Sequence, residues 1–173
     1  MDTSTAALVG AALATCGWLY TARRARTLSR KQHTVTVMLQ ASLNKEFRDA
    51  LLVISDAMKN GACPDLEADE NKELRFSMRF VTNHYEFVAA GLRNGDFDER
   101  LVRDSERGVI VQMFKFFEGH IYSLRKSRDR MTIYENLEWL NVRWTKKVPN
   151  KLQKTIEWVR QQPFGGTRVN PHL

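Results

Sequence analysis

Cysteine is nearly absent from this 173-residue chain: Cys16 and Cys63 stand alone. Two thiols so far apart exclude a disulfide framework, and neither has the neighbours of a metal-binding knuckle. No Gly-rich phosphate loop, no His-Glu-x-x-His pair and no serine or cysteine in a nucleophile setting is present, so the commonest catalytic signatures are missing. Strand-like alternation of apolar and polar residues persists nowhere, which excludes a β fold. Charge is missing in two places. Thr3 to Ala22 holds no charged residue, and neither Asp nor Glu occurs between Asp2 and Glu46.

The uncharged stretch predicts a membrane anchor. Twenty helical residues reach about 30 Å, the thickness of a bilayer's hydrocarbon core. Trp18 and Tyr20 lie near its end, where amphipathic rings favour the membrane–water boundary. Arg23, Arg24, Arg26, Arg30 and Lys31 follow at once. Bases after the apolar run, rather than before it, argue against a cleaved secretory signal. They also orient the N-terminus outside and the bulk of the chain in the cytoplasm. Ala6, Gly10 and Ala14 recur every four residues, a spacing that lets helix backbones approach closely in lipid, so a homo-oligomer is expected.

Composition fits one domain behind that anchor. Its formal net charge is +7, and the pI is about 9.6. The bases cluster: one group follows the anchor, where anionic headgroups explain it. A second group (Arg143, Lys146, Lys147, Lys151, Lys154, Arg160) interleaves with Trp139, Trp144 and Trp158. Such texture suits a membrane surface or nucleic acid, and an adjacent bilayer favours the first.

After a basic linker over 23–34, helical spacing takes over. Val35, Leu39, Leu43, Phe47, Leu51, Ile54 and Met58 step by three and four, predicting one amphipathic helix closed by Asn60-Gly61. Acidic residues from Asp65 to Glu73 open the next segment, where they oppose the helix dipole. Its stripe, Leu74, Met78, Val81, Tyr85, Val88 and Leu92, is widened by Phe76, Phe80, His84 and Phe87. Asp96 or Asp98 caps a third helix, with Leu101, Ile110, Phe114, Phe117, Ile121 and Leu124 inward. Gly108 and Gly119 inside it point to close helix packing. A shorter helix carries Ile133, Leu137, Leu140 and Trp144, and a last short helix with a loose tail fills 149–173. The fold class is therefore all-α: an N-terminal transmembrane helix followed by an antiparallel helical bundle over 35–148.

Asn83-His84-Tyr85-Glu86-Phe87, Gly91-Leu92-Arg93-Asn94-Gly95, then Phe117, Ile121, Leu124-Arg125 and Trp144 resemble the pattern of domain-of-unknown-function family 4760 over residues 35–145. His84 departs from the apolar or aromatic residue of that pattern. The resemblance implies a helical bundle, often behind a membrane helix, in a bacterial or phage setting, hence the bacterial inner membrane. It implies no activity.

Two polar constellations stand out. Asn83 and Glu86, three apart, share a helix face. With Arg125 as partner they form either a polar network that fixes helix register or a site between helices. Arg79 and His84 are similar to the Arg-x4-His motif of HEPN-type ribonucleases, with Arg79 on phosphate and His84 on a proton. Five helical residues place them about 140° apart, a poor start for convergence. No cofactor and no metal site is expected. The leading function is a non-enzymatic, membrane-anchored assembly protein that binds the bilayer, itself and a protein partner, in phage exclusion or defence; a membrane-anchored HEPN-like ribonuclease is the alternative.

Overall fold

The structure, a computed structural model, describes residues 3–146, with side chains from Gly10 onward. The short helix and tail expected over 149–173, Trp158 included, lie outside the described residues. Five α-helices make up the described chain: α1 (Thr3–Leu43), α2 (Lys45–Lys59), α3 (Lys72–Asn94), α4 (Glu99–Ser127) and α5 (Glu135–Thr145). A single 3-10 turn over Asp69–Asn71 leads into α3. The all-α class expected from the spacing is what the described residues adopt.

The anchor is corrected. Among the described residues no helix is long and apolar enough to cross a membrane. One physical reason lies in the sequence: Ala, Gly and Thr dilute the apolar run. No break in the helix marks the end of the expected span. Instead α1 continues through the basic stretch 23–34 to Leu43, so the expected linker is itself helix. From Gly10 to Ser29 its described side chains are exposed, and packing against the bundle starts near Thr34. Thr34 makes the joint. Its hydroxyl donates to the Arg30 carbonyl at 2.8 Å and accepts the Asp98 N–H at 2.8 Å, tying α1 to the start of α4.

The stripe expected to run unbroken from Val35 to Met58 is interrupted at Asn44. Asn44 takes an extended conformation and its side chain accepts the Phe47 N–H, capping α2. That break resets the helical phase. Upstream, Thr34, Val37, Met38 and Ala41 meet the core, while Val35, Leu39 and Leu43 stay exposed. Downstream, Phe47, Ala50 and Ile54 are buried.

α3 lies at the centre, packed on α2 and α5. Its predicted stripe is buried throughout, from Leu74 to Leu92. Phe76 and Phe87, expected to widen it, are exposed. Gly95, with φ +80°, ends α3 in the left-handed conformation that favours glycine. Asp98 caps α4 by accepting the N–H groups of Arg100 and Leu101. The α4 glycines have no packing role: a Cβ at Gly108 or Gly119 would meet open space. Gly91 is the one that does, since a Cβ there would run into the Phe97 ring.

Candidate functional site

α5 begins without a cap of its own. Tyr134, the residue before it, is left-handed at φ +56° and offers no side-chain hydrogen bond. Glu86, on α3, supplies what is missing. One carboxylate oxygen accepts the Asn136 N–H at 3.1 Å and its side-chain amide at 2.8 Å, and the other accepts the Leu137 N–H at 2.7 Å. A negative charge at the positive end of the α5 dipole adds to these bonds.

Arg125, expected to pair with Glu86, is instead buried beside Glu138. Its guanidinium donates to the Glu138 carboxylate at 2.7 Å and to the Ile133 carbonyl at 2.8 Å. Burial pushes the Glu138 carboxyl up, but hydrogen bonds from Arg125 and Tyr122 and the Arg125 charge outweigh it and hold the group below its ordinary range. The same bond pushes the Tyr122 phenol up to about 12. Glu86 and Arg125 therefore grip the 128–134 loop and the start of α5 from two sides, as two clamps rather than one ion pair.

Between those clamps opens a polar recess of about 570 Å³. α3 contributes Arg75, Arg79, Asn83 and Glu86; the end of α4 contributes His120 and Arg128; the loop adds Arg130, Thr132, Ile133 and Tyr134. Arg75 is committed elsewhere, donating to the carbonyls of Leu66 and Glu67 and standing 3.6 Å from the Glu67 carboxylate. Among the described residues, Arg79, Arg128 and Arg130 have no ion-pair partner. Burial lowers His120 from its ordinary pKa, against the pull of Glu67 and Asp65 and with the help of the Arg75 and Arg128 charges. Its imidazole is neutral at pH 7.

Asn83 and Arg79 thus share one recess, and His84 does not. His84 lines a smaller, mainly apolar cavity of about 230 Å³ on the α1–α2 side, with Phe47, Tyr85 and Glu106. Its ring sits edge-on to Phe47 at 4.8 Å, and burial lowers its pKa. The Arg79–His84 pair drawn from the Arg-x4-His spacing opens onto two different cavities. Among the described residues no group of three metal-ligating side chains comes together.

Of the other expected residues, Trp18, Tyr20, Arg23, Arg24 and Arg26 are exposed on α1, as are Gly10 and Ala14; the side chain of Ala6 lies outside the described residues. Sequence reasoning missed Arg75, Arg128, Arg130 and His120. They come from separate segments, and no local pattern joins them.

No curated protein and no solved structure matches the chain. The family described as "Domain of unknown function (DUF4760)" matches residues 4–144, a span that takes in nearly all of α1 together with the bundle. The chain belongs to that family.

Proposed function

We propose that the protein is a non-enzymatic helical interaction protein, attached to a bilayer surface through the first half of α1 and assembled with further copies of itself. One observation carries the proposal. α1 is a 41-residue helix whose leading half leaves Leu13, Trp18, Leu19 and Tyr20 largely exposed. A lone helix in water draws most of its stability from packing, so a projecting one calls for a partner. Lipid suits this one. Trp18 and Tyr20 favour the headgroup level, and Arg23, Arg24 and Arg26 beyond them match anionic phosphates. Attachment is proposed, not a crossing. Ala6, Gly10 and Ala14 support side-by-side pairing of such helices. The family resemblance supplies phage exclusion or defence as the setting, by association only.

Fractionation of cells making the full-length protein tests the attachment. The protein is expected with the membranes, and Leu13→Asp with Leu19→Asp should release it; a wild-type protein found wholly in the soluble fraction ends the proposal. A thiol on the small-residue face tests the pairing. Ala14→Cys in a Cys16→Ser background is expected to yield a covalent dimer on mild oxidation, and Cys16, exposed about 120° off that face, is not.

A further inference from the structure

The arginine recess between α3 and the 128–134 loop is built, not incidental. Its loop wall carries two left-handed residues that are not glycine, Asp129 at φ +48° and Tyr134 at φ +56°. Such backbone persists only where its surroundings over-determine it. At Tyr134 the flanking Glu86 and Arg125 clamps do so. Asp129 is the left-handed residue that closes α4, where the Arg130 N–H donates to the Arg125 carbonyl at 3.0 Å and the Asp129 N–H to the Lys126 carbonyl at 3.5 Å. The result is that Arg128 and Arg130 face the same hollow as Arg79 on α3.

The charges there do not balance. Four arginines, Arg75, Arg79, Arg128 and Arg130, line it against two carboxylates, Glu67 and Glu86, which leaves a formal excess of two positive charges. Arg79, Arg128 and Arg130 are exposed at its surface and have no ion-pair partner among the described residues. Like charges gathered at one recess repel, and a bound anion relieves them. Guanidinium groups match phosphate oxygens in planar, two-point geometry. The recess falls within the range of about 300–1,000 Å³ common for small-molecule sites. Leu124, Ile133 and Tyr134 give it an apolar side as well.

We propose that this recess binds a small molecule bearing a di- or triphosphate group, with Arg79, Arg128 and Arg130 on the phosphates and Asn83 as an added hydrogen-bond donor. A nucleic-acid strand is the less suitable occupant, since the cations ring a hollow instead of tracking along a groove.

Calorimetric titration of the purified full-length protein with inorganic pyrophosphate and with ATP, at about 0.15 M salt, tests this. Saturable binding at one site is expected. Arg79→Gln, Arg128→Gln and Arg130→Gln should each weaken it about tenfold or more, the effect of removing a charge-assisted contact. Lys126→Gln removes the same charge from the same helix end outside the recess, and should leave binding unchanged. Tighter binding of ATP than of pyrophosphate assigns the ligand as a nucleotide, and equal binding assigns the phosphates alone. Absence of binding by either probe overturns the proposal, as does equal loss in Lys126→Gln. Binding of a 20-nucleotide RNA with no response to pyrophosphate also overturns it.

Discussion

Glu86 and Leu137 lie 51 residues apart, yet the Glu86 carboxylate accepts the Leu137 N–H at 2.7 Å and so starts a helix to which it does not belong. Caps are ordinarily local, supplied by the residue just before the helix. Here the local position holds a left-handed tyrosine, and the cap arrives from α3. Folding of α5 is thereby coupled to α3 through a charge as well as through Leu137 and Leu140.

Glu86→Ala is expected to destabilise the protein by about 1–3 kcal/mol, the range for losing a helix cap and its charge-assisted bonds. Urea unfolding measures the total. Amide exchange should show the loss concentrated in α5, at Asn136 and Leu137 first.

The second clamp predicts a larger cost per atom removed. Glu138→Ala leaves the Arg125 guanidinium buried without its counter-charge, since the Arg125 side chain is only 5% exposed against 30% for Glu138. Roughly 2–3 kcal/mol should be lost, somewhat under the figure for a wholly buried pair. Replacing both, as Arg125→Met with Glu138→Leu, should recover part of that loss. A double-mutant cycle in urea checks both statements.

Glycine substitutions should move stability in opposite directions. Gly91→Ala drives a methyl group into the Phe97 ring and should cost about 1–3 kcal/mol. Gly108→Ala and Gly119→Ala meet open space in a helix interior and should each add about 0.5–1 kcal/mol. Thermal unfolding of the three variants is the measurement.

Acid should weaken the fold well before carboxylates protonate. Burial lowers both His84 and His120 from the ordinary 6.5. In the unfolded chain they take up protons near 6.5, and in the folded chain only at lower pH. Stability is therefore full above about pH 6.5 and declines as pH falls from there toward the folded values. The melting temperature at pH 5.5 should lie below that at pH 7.5. His84→Phe keeps an aromatic ring against Phe47 and should shrink the difference.

How much of this was legible depends on the range of the interaction. The α3 stripe from Leu74 to Leu92 could be read because burial on one helix follows a fixed local period. The same reading overran at Asn44: the three-and-four spacing continues through the cap, while the chain direction does not. Asp98 as a cap was legible. Glu86 as a cap was not: Thr132-Ile133-Tyr134-Glu135 reads as an ordinary local capping box, and nothing in it points to a carboxylate on α3. Arg125, expected beside Glu86, pairs with Glu138 instead, because Glu138 and Glu86 are equivalent to any argument from composition. The arginine recess had no sequence signature at all.

The continuity of α1 has a mechanical side. A single helix from Thr3 to Leu43 is a rod of about 60 Å, gripped at one end where Thr34 meets Asp98. Whatever holds the far tip is set at a fixed distance and azimuth from the arginine recess. One residue inserted among the exposed turns before Arg30 would lengthen the rod by about 1.5 Å and swing the tip through about 100°. Bending or twisting applied at one end is delivered to the other.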